Sequence, residues 1–131
     1  MKGVSIMNKT KGTLPRVPFA RIKEAILGAD YDLSLVFVGD KESQAINIAR
    51  RGKDYIPNVL SFELGIDPLG RESGEIFINP LEASRQAESF GRSPSNMVAF
   101  LYIHALCHLK GMRHGSTMER MEVGFRKKFK I

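Results

Sequence analysis

Cysteine is nearly absent from this sequence, and so are long apolar runs. The single cysteine, Cys107, allows no internal disulfide and is compatible with a reducing cytoplasm. No apolar run approaches the roughly 20 residues of a membrane span, and the basic N-terminus lacks the apolar stretch of a signal peptide. A membrane partner is therefore not expected. Residues 1–131 are expected to form one domain with a core that needs no disulfide.

Acidic residues are also in the minority. The chain has 14 Asp and Glu against 20 Lys and Arg, which gives a formal net charge of +6 and a pI near 9.7. Such a balance favours a polyanionic partner, with nucleic acid as the first candidate. Charge by itself does not decide the matter, because many basic proteins bind nothing acidic.

Histidine is scarce as well, but its three copies lie together in residues 104–114. His104 and His108 are four residues apart, so on a helix they share one face and can bind one metal ion. Gly111 lets the helix end and the chain reverse, which can bring His114 back to the same point. Three neutral nitrogens with an open fourth position are typical of a catalytic zinc site rather than a structural one.

Two alternatives concern this helix. His104 and His108 could be ordinary core or surface histidines, but they share a narrow sector with Met97 and Leu101. Buried imidazoles without partners would be costly, so metal binding is the favoured interpretation. Cys107 could be a fourth ligand, although packing as a small core residue is favoured.

The hydrophobic pattern predicts alternating strands and helices. An edge strand comes first, and the succession of strand, helix and strand predicts a crossover with a parallel pair. Ala45, Ile48 and Ala49 are the predicted inward set of the second helix, and a capping box at Ser116 is predicted to open the last. The predicted strands cover residues 2–8, 32–38, 59–62 and 74–78, and the helices cover 18–28, 40–50, 80–91, 94–110 and the segment from 116.

A cationic segment, Arg50-Arg51-Gly52-Lys53, follows the second predicted helix. It could be a solvated helix end that the helix dipole stabilises. It could equally bind phosphate, for which arginine is the better side chain. Both interpretations remain open from the residues alone.

Two further blocks accompany the histidine motif. Residues 51–62 read Arg-Gly-Lys-Asp-Tyr-Ile-Pro-Asn-Val-Leu-Ser-Phe, and residues 74–76 read Gly-Glu-Ile. Together with the spacing His-x-x-x-His-x-x-x-x-x-His, and a glycine three residues after the second histidine, they resemble the YbeY family of bacterial rRNA-maturation endoribonucleases. The blocks follow the family order across residues 51–114.

The resemblance implies a fold and a function. The implied fold is α+β, with about five helices around a mixed sheet of about four strands and a metal site on the fourth helix and the following turn. It implies one zinc ion per chain, on His104, His108 and His114, and cleavage of single-stranded RNA in rRNA maturation and ribosome quality control. The implied partners are rRNA and the ribosomal small subunit, in the cytoplasm, and the oligomeric state stays open.

Roles for other residues follow from the same hypothesis. Arg51 and His114 are the expected catalytic residues, since the Arg51 guanidinium would stabilise added negative charge on the phosphate. Arg51, Lys53, Ser61 and Arg113 are the expected substrate-binding residues. For Arg113, a phosphate contact and simple solvation are equally compatible with the sequence.

The sequence departs from the family pattern beside the histidines. Ala105 replaces the usual glycine, Arg113 and Gly115 replace carboxylates that flank the third histidine, and Glu75 replaces the usual aspartate. The nearest groups for orienting a ligand or moving a proton are thus missing. A non-catalytic RNA-binding or ribosome-assembly protein with a structural metal remains an alternative. A zinc peptidase is disfavoured, because Ala105 stands where its general-base glutamate would be.

Overall fold

The computed structural model describes residues 4–111 and 115–131. Over these residues the chain forms a four-stranded mixed sheet and five α-helices, which confirms the predicted fold class. None of the helices within these ranges is both long enough and apolar enough to cross a membrane. The elements are β1 (Val4–Asn8), α1 (Phe19–Leu27), β2 (Asp32–Phe37), α2 (Asp40–Arg51), β3 (Val59–Ile66), β4 (Glu72–Ile78), α3 (Pro80–Ala87) with a 3-10 turn (Glu88–Phe90), α4 (Pro94–Leu109) and α5 (Ser116–Phe129).

The sheet has the strand order β1-β2-β4-β3. β1 pairs with β2 and β2 pairs with β4 in parallel, whereas β3 and β4 form an antiparallel hairpin. The prediction of a parallel pair and of β1 as an edge strand is confirmed. The two hairpin strands are longer than the predicted ranges 59–62 and 74–78, because β3 continues through Ile66 and β4 begins at Glu72.

The two faces of the sheet bury different residues, as the two-residue period of a strand requires. Leu33, Leu35 and Phe37 of β2 lie in the larger core, together with α1, α3 and α4. Val36 and Val38 point to a smaller cluster on the other face, which Ile46 of α2 covers. α4 therefore lies within the larger core, and full burial of each of its leucines or isoleucines contributes about 1.5–3 kcal/mol.

The buried face of α2 differs from the predicted one. Ala45, Ile48 and Ala49 are exposed, whereas Ser43 and Asn47 are buried. The spacing of apolar residues along the sequence cannot show which face of a helix packs against the rest of the protein when that face is polar. The predicted inward set of α2 was wrong for this reason.

Polar contacts hold α2 against the extended segment that precedes β3. Ser43 Oγ donates to the carbonyl of Pro57 at 3.0 Å, and Asn47 Nδ2 donates to the carbonyl of Tyr55 at 3.1 Å. Buried hydroxyl and amide groups need such partners, since leaving one unpaired costs about 1–3 kcal/mol. These bonds hold α2 against the segment that leads into β3.

The helix caps agree with the sequence at α4 but not at α5. Ser93 Oγ accepts the backbone N–H of Asn96 at 3.1 Å, and Pro94 occupies the first turn of α4. The predicted capping box at Ser116 does not form, because Gly115 holds the N-cap position and no side chain caps the first turn. Ser116 is already the first helical residue of α5, so its hydroxyl is one position too late.

Candidate functional site

α4 is buried on nearly all sides, and two histidines interrupt that burial. From Leu101 to Leu109 every residue is buried except His104 and His108, which are half-buried. Their imidazole rings share one face of the helix, with ring centroids 4.8 Å apart and an interplanar angle of 87°. The imidazole pair is thus the place where this core helix presents polar groups to a cleft.

A buried carboxylate on α5 holds the first of these rings. Glu122 Oε1 lies 3.0 Å from Nδ1 of His104, and the glutamate side chain is only 9% exposed. Because an ionised carboxylate can only accept, the neutral imidazole carries its proton on Nδ1 and its lone pair on Nε2. A histidine that donates one nitrogen to a carboxylate in this way is typical of a metal ligand.

Glu122 is a site residue that the sequence reasoning missed. Because the sequence has no carboxylates beside His114, it showed no acid that could orient the histidines. Glu122 of α5, 18 residues beyond His104, is such an acid. A signal was present in the sequence, since Glu122 lies among Met118, Met121 and Phe125, which recur at helical spacing and form an apolar stripe along α5. A carboxylate within such a stripe indicates a buried partner.

The histidines open onto a cleft of about 280 Å³. Arg51, at the end of α2, and Ser61, in β3, line the same cleft as His104 and His108, so the structure brings four of the predicted site residues together. Ala105 and residues 59–60 complete its wall. The cleft therefore combines imidazoles, a guanidinium and a hydroxyl at one end of the sheet.

The remaining predicted residues are not part of this described wall. Lys53 is exposed and does not line the cleft. His114 and Arg113 lie outside the described residues, so their roles stay predictions. Among residues 4–111 and 115–131, no three His, Cys, Asp or Glu side chains are grouped as a metal site requires.

The two arginines at the end of α2 have different surroundings. Arg50 forms an ion pair with Glu75, and its guanidinium lies 4.8 Å from the ring centroid of Phe62 and 5.4 Å from that of Phe77. These contacts hold Arg50 on the sheet, away from the histidine cleft. The carboxylate of Glu75, in β4, is thus the ion-pair partner of an arginine rather than of a histidine.

Arg51 is held by neutral groups instead. Its Nη1 donates to Asn47 Oδ1 at 3.1 Å and to the hydroxyl oxygen of Tyr55 at 3.0 Å, and the guanidinium lowers the pKa of that hydroxyl. No ion pair within the described part of the chain involves Arg51. Helix α2 ends here because Gly52 adopts a left-handed conformation at φ 66°. Arg51 therefore brings an oriented positive charge to the cleft.

Cys107 lies on the same helix as the two histidines. It is fully buried in the larger core, and burial raises the pKa of its thiol to about 11. It is also not among the residues that line the histidine cleft. The structure therefore supports core packing for this cysteine rather than a ligand role.

Comparison with known proteins places these features in context. The family model described as Endoribonuclease YbeY matches residues 7–130. Proteins of that name are 40% identical in Alkaliphilus metalliredigens over 100 residues (72% of this chain, 64% of the relative) and 35% identical in Halalkalibacterium halodurans over 114 residues (79% and 72%). A third, in Thiobacillus denitrificans, is 32% identical over 121 residues (88% and 82%).

The matched segment is thus shorter than some of these relatives, since it covers less than two thirds of the Alkaliphilus metalliredigens protein. Among solved structures, the solution structure of TM1509 from Thermotoga maritima is similar, with a TM-score of 0.66 at 21% identity. That similarity covers 96% of this chain and 88% of the other. At this identity it shows a shared fold.

Proposed function

Because this chain belongs to the Endoribonuclease YbeY family, we propose that it is a metal-dependent endoribonuclease that cleaves single-stranded RNA. The proposed substrate is rRNA of the ribosomal small subunit, cleaved in the cytoplasm during rRNA maturation and ribosome quality control, and residues 1–131 are the proposed catalytic domain. The observation that carries the proposal is the shared cleft of His104, His108 and Arg51. It combines metal-binding nitrogens with a cation suited to phosphate.

One zinc ion per chain is the proposed cofactor, with His104, His108 and His114 as its ligands. The described pair fits this role, since both imidazoles share one helix face and Glu122 fixes the tautomer of His104. Bound zinc would polarise a phosphoryl oxygen or lower the pKa of a water molecule. Besides acting as a ligand, His114 is the second proposed catalytic residue, with Arg51.

Arg51 is proposed to bind the phosphate and stabilise the extra negative charge of the transition state. Its bonds to Asn47 and Tyr55 orient the guanidinium before substrate arrives, so little reorganisation is needed when charge develops. Since both partners are neutral, its charge remains available to the phosphate. A planar guanidinium can also contact two phosphate oxygens at once.

The other substrate-binding residues have smaller proposed roles. Ser61 offers a hydroxyl to the sugar or phosphate within the cleft. Lys53 is exposed beyond the cleft wall, so we assign it a contact with a more distant phosphate. Arg113 is proposed as a further phosphate contact. Such contacts position the strand without selecting its sequence.

The proposal is tested by measuring metal content and cleavage on the same preparation. Purified protein should contain close to one zinc ion per chain, by elemental analysis, and should cleave single-stranded RNA. Chelation should abolish cleavage while circular dichroism shows that the protein stays folded, and added zinc should restore it. Undiminished cleavage after chelation would exclude the metal role, and RNA binding without cleavage by zinc-loaded protein would favour the non-catalytic alternative.

Glu122 provides a sharper test of the metal site. Glu122→Gln keeps the length and shape of the side chain but removes the carboxylate charge that fixes His104. Loss of such an outer partner typically weakens metal binding by about 10–100-fold. We expect a decrease in zinc affinity of that order, measured by competition with a chromogenic chelator.

Glu119→Gln is the matched control for this variant. Glu119 lies on the same helix one turn earlier and is exposed, so its replacement changes the charge of α5 equally without touching His104. It should keep the parent zinc affinity. Equal affinities in all three proteins would show that Glu122 has no part in metal binding.

A further inference from the structure

A second cavity, of about 570 Å³, adjoins the histidine cleft on the side of α5. The walls of the two cavities share His104 and Val59, so the cavities lie side by side. The second cavity, here called the flanking cavity, has an amphipathic wall. Its apolar part is formed by Phe100, Leu101, Met118 and Val123, and its polar part by Asn58, Glu119, Glu122 and Arg126.

Arg126 is held in place within this wall. Its guanidinium carbon lies 4.9 Å from the ring centroid of Phe100, and its Nη1 is 3.8 Å from Glu122 Oε1. The side chain is only 19% exposed. Arg126 belongs to the cationic last turn of α5, where its sequence position alone would favour a solvated charge.

A second arginine lies against the same aromatic ring. The guanidinium carbon of Arg92 is 4.4 Å from the ring centroid of Phe100. Burial lowers the pKa of Arg92, and the nearby charge of Arg126 lowers it further. Placing two cations around one ring is unfavourable unless an anion is near. Glu122 brings one negative charge to this pair through Arg126, whereas Arg92 donates to the neutral amide oxygen of Asn96.

We infer that the flanking cavity binds the nucleotide next to the scissile phosphate, with Arg126 on a phosphate and the apolar wall against the base. This rests on the proposed function, since it takes the histidine cleft as the point of cleavage. The strand then passes His104 between Arg51 on one side and Arg126 on the other. A nucleotide is the occupant because it joins a flat apolar surface to an anionic group, as the wall requires.

The phosphate contact is tested by the salt dependence of RNA binding. For single-stranded nucleic acid, each neutralised phosphate contributes about 0.7 to the slope of log affinity against log salt. Arg126→Gln should reduce that slope by about 0.7 and weaken binding about tenfold or more at low salt, with zinc content unchanged. Arg120→Gln, an exposed arginine of α5 outside the flanking cavity, should keep the parent slope.

The base contact is tested with small probes. A nucleoside monophosphate should inhibit RNA binding at least tenfold better than ribose 5-phosphate, because only the former has a base for the apolar wall. Val123 is 40% exposed, so Val123→Asp should fold normally while removing most of that difference. Equal inhibition by the two probes in the parent protein would overturn the assignment of the base.

These outcomes separate the inference from the proposed function. If Arg126→Gln still binds and cleaves RNA with the salt slope of the parent protein, the flanking cavity does not bind a nucleotide. The proposed function would be unaffected, and the cavity would instead be assigned to a protein partner. Failure of the parent protein to cleave RNA would overturn the proposed function. The slope would still report the phosphate contact in that case, because it is measured on binding.

Discussion

Replacing Arg51 with alanine should lower the rate of RNA cleavage by about 10²–10³-fold, the usual effect of removing a preorganised donor at a developing charge. Zinc content and fold should be unchanged. Arg51 touches Asn47 and Tyr55 rather than a histidine. Its replacement leaves the buried amide oxygen of Asn47 without this donor, so we expect a loss of stability of about 1–3 kcal/mol with the fold retained. Cleavage should therefore fall far more than RNA affinity, as measured by single-turnover kinetics and equilibrium binding.

Arg51→Lys distinguishes charge from geometry. Lysine keeps the positive charge but cannot make the bidentate contact, so it should recover only part of the rate. If Arg51→Ala cleaves like the parent protein, Arg51 is only a helix-end charge. The catalytic cation would then be Lys53 or Arg113.

His108→Ala should abolish the proposed zinc binding and, with it, the proposed RNA cleavage. The variant leaves one described imidazole on α4, and a helical pair is needed to bind one ion from one face. The loss of affinity should exceed the about 10–100-fold expected for an outer partner such as Glu122. Elemental analysis after dialysis, together with the cleavage assay, measures both effects.

Ser95→Ala is the control for this variant. Ser95 is an exposed residue near the start of α4, remote from the histidine cleft, and should keep the parent metal content. Equal zinc in His108→Ala and the parent protein would remove His108 from the ligand set. Circular dichroism on both variants shows whether α4 still folds.

Much of the fold could be predicted because local patterns agreed with the tertiary structure. Phe19, Ile22 and Ile26 recur at helical spacing and are all buried in α1. The pattern failed where burial is polar, as for Ser43 and Asn47 of α2, since no hydrophobic period marks a face that packs by hydrogen bonding. It also could not fix the ends of β3 and β4, whose hairpin continues beyond the predicted strands.

The candidate site was predictable where local patterns or the family resemblance marked its residues. His104 and His108 needed only the helical repeat, and Arg51 was marked by the block of residues 51–62 that resembles the YbeY family. Glu122 and Arg126 belong to another helix, and only the packing of α5 against α4 brings them to His104 and Phe100. Periodicity within one helix carries no information about its neighbour, so these two residues required the structure.

The burial of α4 has a consequence for how the site responds to fluctuation. Proteins open in cooperative units, and segments that are buried on most sides exchange their amide protons only in the rarest, near-global openings. His104 and His108 belong to such a segment, since the residues around them from Leu101 to Leu109 are all buried. Local opening of a chain terminus or a hairpin tip therefore leaves the relative position of the two imidazole rings unchanged. The part of the cleft wall that His104 and His108 form should therefore resist local unfolding as strongly as the hydrophobic core does.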